Sequence, residues 1–194
     1  MIIIGVDEAG RGPLVGIVVA AAVAFPANFQ IDGLTDSKKL SEKKREDLYA
    51  QITKKCYLAS AESNSIDIDE INILQATMIA MKRAVNLLQH QLMSQTQVHD
   101  FKVLVDGNRC PDVENCEAII KGDLIEQVIS AASIIAKVTR DRQMKVLDQI
   151  YPEYGFSRHK GYGTKEHLEA LVKHGPIGGQ HRFTFAPIKR LVRA

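Results

Sequence analysis

The chain has 194 residues, of which 45% are hydrophobic and 25% are charged, and its formal net charge is +2 at pH 7. This length fits one domain with a sizeable buried core, and the near-neutral balance excludes nucleic-acid binding through bulk positive charge. Basic residues are instead concentrated in 157–167 and 182–193, so the chain can still present one basic face.

The first half of the chain predicts three strands and two helices. The strands are expected over 2–6, 16–25 and 57–62, and the helices over 42–54 and 71–92. Ser41 is the expected N-cap of the first helix. The first two strands are apolar runs joined by a Gly/Pro turn, so they are expected to be neighbours. The second helix follows from apolar residues repeated at intervals of three and four.

The second half of the chain alternates strands with helices. Strands are expected over 101–105 and 118–120, and helices over 124–150, 165–173 and a short segment after Pro187. Small side chains in the long helix would let it lie close against a sheet. Strands that begin as a meander and then alternate with helices predict a mixed sheet in a single α/β domain.

Acidic side chains stand at the ends of the predicted strands. Asp7 and Glu8 end the first strand, Asp106 ends the fourth and Asp123 follows the fifth. If the strands of Asp7 and Asp106 are neighbours, their carboxylates repel each other unless cations neutralise them. Such oxygen ligands favour Mg²⁺ or Mn²⁺ over zinc. A turn or a helix cap explains Asp106 or Asp123 taken singly, and Asp7 and Glu8 would face opposite sides of an undistorted strand.

A glycine-rich segment, GRGPLVG at 10–16, follows the first acidic pair. It resembles a dinucleotide fingerprint superficially, but its last glycine is one residue late and a strand follows in place of a helix. A nucleotide-binding kinase or dehydrogenase is therefore disfavoured. The segment is either a tight turn that needs glycine backbone angles or a place where the backbone approaches a ligand, with Arg11 or the loop amides in contact.

Two polar clusters carry positive charge. Residues 35–40 place Lys38 and Lys39 just before a helix, an arrangement that suits phosphates. Residues 158–164 surround Tyr162 with cations and glycines, and a tyrosine in such a setting can lay its ring against a sugar or base. A solvated helix start and a basic surface loop are the alternatives.

Other aromatic and imidazole side chains of the C-terminal part are expected to be structural. Phe183 and Phe185 repeat the mixture of cation and aromatic group, but they are expected to be core anchors and not base-stacking groups. His167 is expected to be an ordinary helix or surface residue.

The cysteine pattern bears on location. Cys56, Cys110 and Cys116 are odd in number and lack the close spacing of a metal site, which is typical of free thiols in a reducing compartment. The N-terminal apolar run is short and broken by charges, and no apolar segment approaches membrane-spanning length. These observations predict a cytoplasmic protein without a membrane partner.

Taken in order, these segments resemble ribonuclease HII, the type 2 ribonuclease H of bacteria. The resemblance is carried by IIIGVDEAGRGPLVG, DSKKLSEKKRE, INILQATMIAMKRAV, VLVDGN, KGD with SAASIIAKVTRDR, and HKGYGTKEHLEAL with HRFTFAPIK. It implies the ribonuclease H-like fold, an α/β fold with a mixed five-stranded sheet and helices on both faces. It also implies one catalytic domain over 1–194, whose part from about 150 to 194 is a helical substrate-binding extension.

The resemblance implies an endonuclease that hydrolyses RNA in RNA–DNA hybrids and incises 5′ to single ribonucleotides in duplex DNA. Its cofactor would be Mn²⁺ or Mg²⁺, two ions with substrate bound, and its products would carry 5′-phosphate and 3′-hydroxyl ends. Its partners would be these nucleic acids, and it would act as a monomer in ribonucleotide excision repair and DNA replication. The alternatives are a catalytically silent nucleic-acid-binding module and another nuclease of this fold, such as a junction resolvase or type 1 ribonuclease H.

The resemblance also assigns roles to single residues. The catalytic metal ligands would be Asp7, Glu8, Asp106 and Asp123. The substrate contacts would come from Gly10, Arg11, Gly12, Asp36, Ser37, Lys38, Lys39, Ser133, Lys137, His159, Lys160 and Tyr162. The GRG segment and the tyrosine would recognise the 2′-hydroxyl, which distinguishes RNA from DNA. Asp141 is expected to be a salt-bridge partner, and the roles of His181 and Arg182 stay open.

Overall fold

The structure is a computed structural model that describes residues 1–193, and its centre is a five-stranded mixed sheet. The strands are β1 (Ile2–Ala9), β2 (Val18–Ala24), β3 (Tyr57–Ser63), β4 (Phe101–Asp106) and β5 (Cys116–Ile119). Their order across the sheet is β3-β2-β1-β4-β5. β1, β2 and β3 are antiparallel neighbours, whereas β4 is parallel to both β1 and β5. All five expected strands are present, and β1 and β2 are neighbours as expected.

Helices cover both faces of this sheet. They are α1 (Glu42–Lys55), α2 (Ser65–Thr96), α3 (Gly122–Ile125), α4 (Gln127–Ile150), α5 (Phe156–His159), α6 (Lys165–His174) and α7 (Ala186–Arg193). α2 packs on one face of the sheet, and α1 and α4 pack on the other. Within residues 1–193, no helix combines the length and the apolar character that crossing a membrane requires.

Short-range hydrogen bonds determine where two helices begin. Ser41 accepts a hydrogen bond from the backbone N–H of Lys44 at 3.2 Å, which confirms it as the N-cap of α1. Thr164 caps α6 in the same way, by accepting from the backbone N–H of His167 at 3.3 Å. Both starts depend only on residues within one helical turn, so the local sequence is sufficient to predict them.

The helix expected over 71–92 differs from the structure. α2 already begins at Ser65, and Asn72 interrupts it with a left-handed backbone conformation at φ 68°. The Asn72 side chain accepts hydrogen bonds from the backbone N–H groups of Leu74 and Gln75, at 3.0 and 3.1 Å. Asn72 therefore ends one helical segment and caps the next, which the apolar periodicity does not reveal.

The single helix expected over 124–150 is also wrong, because the structure has two helices there. Glu126 lies between α3 and α4 in an extended conformation, with φ −109° and ψ 116°. The Ser130 hydroxyl donates a hydrogen bond to the carbonyl of Asp123 at 2.5 Å, which links the two helices. Asp123 thus lies on a separate short helix next to the end of β5.

The α4 helix lies directly on β1. A β-carbon at Gly5 would lie only 2.2 Å from the carbonyl carbon of Val128, so no larger residue fits without moving the backbone. The small residues from Ser130 to Ser133 are buried at this contact, as expected. Because alternate residues of a strand share a face, Asp7 faces α4 together with Gly5.

The chain after α4 packs against α4 and against the glycine loop, residues 10–17, which connects β1 with β2. Leu14 and Val15 of this loop share one buried cluster with α4, α6 and α7. Phe183 and Phe185 are partly buried against the same cluster, which confirms their expected structural role. The C-terminal helices therefore pack against the buried side chains of the loop and support it.

Candidate active site

Three of the four acidic residues named from the sequence lie on one side of the sheet edge. β1 and β4 are parallel, with Val6 opposite Val105. The next residues, Asp7 and Asp106, therefore lie side by side on adjacent strands. Strand alternation places both side chains on the face covered by α4. The carboxylate of Asp106 accepts the backbone N–H of Asp123 at 3.4 Å, which brings the third acidic residue to the same end.

Glu8 faces the opposite side of β1. This strand stays paired with β2 as far as Ala9, so it is regular and its side chains alternate. Glu8 forms an ion pair with Arg11 at 3.4 Å. The two adjacent acidic residues therefore approach the sheet edge from different faces.

The pKa of Asp7 is raised more strongly than the pKa values of Glu8 and Asp123. Its side chain is 6% exposed. Burial raises the pKa of Asp7 well above its ordinary value, and the nearby charges of Glu8 and Asp106 raise it further. Hydrogen bonds from the Glu8 backbone N–H, at 2.7 Å, and from the Ser133 hydroxyl act in the opposite direction. The ionised form of Asp7 is thus costly without a positive partner.

Two neighbouring acidic residues show the same trend. Burial raises the pKa of Glu8, and Arg11 opposes this rise. Burial also raises the pKa of Asp123, with further contributions from the charges of Asp106 and Asp36. Lys38, in the segment 35–40, lowers the pKa values of Glu8 and Asp123 because its positive charge lies near both carboxylates.

The donor chemistry of this cluster fits a hard divalent cation. It consists of carboxylate oxygens, with no imidazole or thiol group among them. Within residues 1–193, no group of three or more His, Cys, Asp or Glu side chains is placed so that it could hold a metal ion as it stands, so the acidic cluster is not a preformed metal site. Burial and the repulsion between like charges raise the pKa values of Asp7, Glu8 and Asp123, and a cation would offset both effects. Asp7, Glu8, Asp106 and Asp123 are therefore the candidates for holding a metal.

A cavity of about 410 Å³ adjoins the acidic cluster. Its walls come from β1, the glycine loop, the segment before α1, α4 and the loop before α6. It is lined by Asp7, Glu8, Ala9, Gly10, Arg11, Gly12, Ser37, Lys38, Arg45, Ser133, Lys137, Arg140 and Tyr162. A second cavity of about 210 Å³ lies beside it and contains Asp106, Glu8 and Arg11 in its lining. Acidic and basic groups therefore share one open cleft.

The glycine loop brings its backbone close to an aromatic ring and a buried arginine. Gly10 has φ 102°, and a β-carbon there would lie 2.2 Å from Nε of Arg140. A β-carbon at Gly12 would lie 3.3 Å from the ring of Tyr162. The turn needs glycine angles, which confirms the first interpretation. Approach to a ligand stays a prediction, and the loop backbone borders the cavity where a ligand would lie.

The segment before α1 is held against α4 by side-chain hydrogen bonds. The hydroxyls of Ser37 and Ser133 lie 2.8 Å apart and are hydrogen bonded. The carboxylate of Asp36 accepts the backbone N–H of Lys38 at 2.9 Å. The contact between Ser37 and Ser133 ties residues 35–40 to the helix that covers Asp7, and Lys38 lines the cavity.

Comparison with known proteins identifies the family. The family model described as ribonuclease HII matches residues 4–188. The chain belongs to the ribonuclease HII family. A ribonuclease HII from Acinetobacter baylyi is 56% identical over 191 residues, which cover 97% of this chain and 96% of that protein. The family cleaves the RNA of RNA–DNA hybrids and at single ribonucleotides in DNA with divalent metals, so this ribonuclease HII is a metal-dependent endoribonuclease.

Solved structures share the fold of this ribonuclease HII. Ribonuclease H2 from Pyrococcus horikoshii OT3 has a TM-score of 0.77 and 27% identity, covering all of this chain and 98% of that one. Bst-RNase HIII in complex with Mn²⁺ has a TM-score of 0.77 and 17% identity, covering all of this chain and 70% of that one. The ribonuclease H-like α/β fold, with a mixed five-stranded sheet and helices on both faces, is confirmed.

Four of the residues expected to contact substrate do not line the 410 Å³ cavity: Asp36, Lys39, His159 and Lys160. Both ring nitrogens of His159 are engaged, with the Tyr154 carbonyl at 2.8 Å and the Gly161 N–H at 3.2 Å, and the side chain is 8% exposed. His159 thus shapes the turn before Tyr162, and its direct contact with substrate stays a prediction. Lys160 binds a backbone carbonyl of its own loop, and Lys39 is exposed near Asp123.

The structure adds residues that the sequence did not single out. Arg45 donates to the carbonyls of Ser37 and Leu40, both at 2.6 Å, and thereby shapes the segment before α1. His167 lies in α6 as a helix residue but is fully buried, so a surface position is wrong; its Nε2 lies 3.1 Å from Nε2 of His181. Neither residue stands in a local pattern that indicates burial, since only the fold brings its partners together.

The structure gives positions to two arginines for which the sequence made no prediction. Arg140 and Arg182 are buried beside the glycine loop and donate hydrogen bonds to its carbonyls. Charged residues are almost never fully buried without partners, and here the loop carbonyls are the partners. Asp141, by contrast, pairs with Lys137 at 2.6 Å and is the salt-bridge partner that was expected.

Proposed function

We propose that this ribonuclease HII hydrolyses its substrate at the acidic cluster, with Asp7, Glu8, Asp106 and Asp123 holding divalent cations, two of them when substrate is bound. The observation that carries the proposal is the burial of Asp7 near Glu8 and Asp106, at the edge of a cleft lined with lysine and arginine side chains. The chemistry that bound cations supply is activation of water for attack and neutralisation of the leaving 3′-oxygen.

The four acidic residues would have different tasks. Asp7 is the central ligand in this proposal, because it is repelled by both Glu8 and Asp106 and gains most from a positive partner. Asp106 and Glu8 would complete the site from the two faces of the sheet, with Glu8 exchanging its Arg11 contact for the metal. Asp123 would position a metal or its water, since its backbone is bound to Asp106.

Recognition of the ribonucleotide would come from the glycine loop and Tyr162. The ring of Tyr162 lies close to Gly12, so a sugar that entered the cavity would meet both the ring and the loop backbone. A 2′-hydroxyl can donate and accept hydrogen bonds, which a DNA sugar cannot do at that position. Incision is proposed 5′ to the ribonucleotide, leaving 5′-phosphate and 3′-hydroxyl ends.

The backbone of the nucleic acid would be held by cations and hydroxyls around the cleft. Contacts that position phosphates are typically made by Lys, Arg and Ser side chains. In this proposal they come from Lys38, Lys39, Lys137, Lys160, Ser37 and Ser133. Asp36 would act indirectly, because its carboxylate holds the backbone of Lys38.

The substrates in this proposal are RNA–DNA hybrids and DNA duplexes that contain ribonucleotides. Residues from about 150 to 194 would serve as the substrate-binding extension, because Tyr162 belongs to them and lines the cleft. We further propose that the protein acts as a monomer with Mn²⁺ or Mg²⁺, and that it works in the cytoplasm. Support for that location comes from Cys56, Cys110 and Cys116, which are free thiols in the structure.

Replacement of Asp106 tests the proposal. A labelled duplex with one ribonucleotide, incubated with Mn²⁺ or Mg²⁺ beside an all-DNA duplex, should be cut by the wild-type protein only at the ribonucleotide. Asp106→Asn should lose cleavage by at least about 100-fold, as expected when a charged group at the reacting centre is removed. Duplex binding, measured by fluorescence anisotropy, should be retained.

Asp112→Asn is the matched control for this experiment. Asp112 is an exposed acidic residue in the β4–β5 connection, which follows Asp106, and its carboxylate pairs with Lys82 at 2.5 Å, away from the cleft. Its replacement should leave cleavage at the wild-type rate. If Asp106→Asn cut the one-ribonucleotide duplex as fast as the wild-type protein, the assignment of the metal site would be wrong.

A further inference from the structure

The glycine loop rests on a buried guanidinium group. Arg182 is 0% exposed, and its nitrogens donate to the carbonyl groups of five loop residues. Nη2 donates to Gly10 at 2.7 Å, to Gly16 at 2.9 Å and to Ile17 at 3.1 Å. Nη1 donates to Arg11 at 3.0 Å and to Pro13 at 2.8 Å, and Nε donates to Gly16 at 3.0 Å. One side chain thus binds nearly the whole inner side of the loop.

A second buried arginine supports the far end of the loop. Arg140 is 2% exposed and donates to the carbonyls of Val15 and Ile17, each at 3.2 Å, and to that of Lys160 at 2.9 Å. Neither arginine forms an ion pair with a carboxylate among the residues that the structure describes. Two buried like charges without counter-ions are costly, so the loop carbonyls are their main compensation.

This arrangement sets the direction of the loop N–H groups. In a trans peptide the carbonyl and the following N–H point in opposite directions. Because the carbonyls of Gly10 and Arg11 point to Arg182, the N–H groups of Arg11 and Gly12 point away from it. Within residues 1–193 neither N–H donates to a protein acceptor, and both residues line the 410 Å³ cavity.

The other end of the loop follows the same geometry and is anchored. The N–H of Leu14 donates to the Gly161 carbonyl at 2.8 Å, and the N–H of Gly16 donates to the Gln180 carbonyl at 2.8 Å. The N–H groups of Leu14 and Gly16 are therefore occupied, whereas those of Arg11 and Gly12 are available to a ligand among the residues that the structure describes.

We propose that Arg182 is a positioning residue for the glycine loop, which holds the Arg11 and Gly12 N–H groups toward the ribose of the substrate. The inference rests on the proposed function, since it assumes that this loop recognises the ribonucleotide. A guanidinium group suits the task because its donors are fixed in one plane, whereas the donors of a lysine radiate from one nitrogen. This gives an active role to a residue that the sequence left unassigned.

The test combines a cleavage assay with a measurement that needs no substrate. Arg182→Lys keeps the charge but loses the planar set of donors. Hydrogen exchange of the peptide that covers 10–17, followed by mass spectrometry, should speed up about tenfold, the effect of losing roughly one net hydrogen bond. For a duplex with one ribonucleotide, kcat should fall about tenfold or more, with KM changed less.

Two readouts separate positioning from general damage to the protein. The stabilisation by Mn²⁺ should stay at the wild-type value in Arg182→Lys, because the carboxylates are not touched. Tyr154→Phe is the matched control, since it removes a buried hydrogen bond to the Gly175 carbonyl, at 2.6 Å, in the same C-terminal core. It should leave both the exchange of the loop and kcat unchanged.

The possible results are distinct. Wild-type loop exchange in Arg182→Lys, or equal losses in Arg182→Lys and Tyr154→Phe, would overturn the inference. If Arg182→Lys does not fold, Arg182→Gln is measured in its place, and failure of both to fold makes the residue a folding requirement and ends the positioning role. A wild-type protein that does not incise the duplex would refute the proposed function, while loop exchange would still decide whether Arg182 orders the loop.

Discussion

At the scale of single residues, the side chain of Tyr162 is 45% exposed, while its ring lies close to Gly12. Its contribution to substrate recognition can therefore be separated from its contribution to folding. The same is not true of Asp7, whose carboxylate is buried where α4 lies on β1, so its replacement affects both folding and the proposed metal site.

Tyr162→Ala should impair cleavage of a duplex with one ribonucleotide by about 10- to 100-fold, the range expected when a stacked ring is lost. The free energy of unfolding should change by less than about 0.5 kcal/mol, because the side chain is exposed. Steady-state cleavage and urea denaturation measure the two quantities. Tyr162→Phe keeps the ring and isolates the hydroxyl, and an unchanged preference for RNA–DNA junctions in Tyr162→Ala would contradict the assigned role.

At the scale of elements, the contact of α4 with β1 places Ser133 beside Asp7. This contact depends on Gly5, where a β-carbon would lie 2.2 Å from the backbone of Val128. Backbone atoms of a packed helix cannot yield as a flexible side chain can, so the helix would have to move.

Gly5→Ala should therefore destabilise the protein by about 2 kcal/mol or more, as overpacking in a core does. Urea denaturation gives the free energy of unfolding. Gly178→Ala is the control, because a β-carbon at Gly178 meets no atom within 4 Å and its change should stay within about 0.5 kcal/mol. Equal stability of the two variants would show that α4 does not depend on close approach at Gly5.

Elements differ in how far the sequence determines them. The cap of α1 at Ser41 depends on one helical turn and is predicted correctly. The break at Asn72 is also held by local hydrogen bonds, but apolar periodicity follows only the apolar positions and therefore misses both this break and the extended Glu126. The sequence names the four acidic residues, but the meeting of Asp7 with Asp106 requires the parallel pairing of β1 with β4.

At the scale of the whole molecule, the acidic cluster links stability to pH and to metal. The pKa values of Asp7, Glu8 and Asp123 are raised in the folded state. At pH values above the ordinary carboxyl pKa, the folded state therefore binds more protons than the unfolded state. Their contribution to stability is therefore present at low pH and is lost as the pH rises from the unfolded to the folded pKa values.

Without metal, Asp7→Asn should be more stable than the wild-type protein at pH 8, because it removes a buried, repelled charge and keeps one carbonyl oxygen that can accept from the Glu8 N–H. With Mn²⁺ the order should reverse. Mn²⁺ at 100 times its Kd should stabilise the wild-type protein by about 2.7 kcal/mol and the variant by much less. Thermal unfolding at pH 5 and pH 8, with Mn²⁺ and with a chelator, measures both effects; equal stabilisation of the two proteins would remove Asp7 from the metal site.

The sequence by itself determined the strands and most helices, the acidic residues at the strand ends and the resemblance to ribonuclease HII, because these depend on local patterns and on ordered motifs. Only the tertiary structure decided that Arg140, Arg182 and His167 are buried and that His159 is turned away from the cavity. The hydrogen bond from Arg182 to the Arg11 carbonyl joins residues 171 positions apart. No local pattern carries that information, because burial of a charge depends on carbonyl groups that only the complete fold assembles around it.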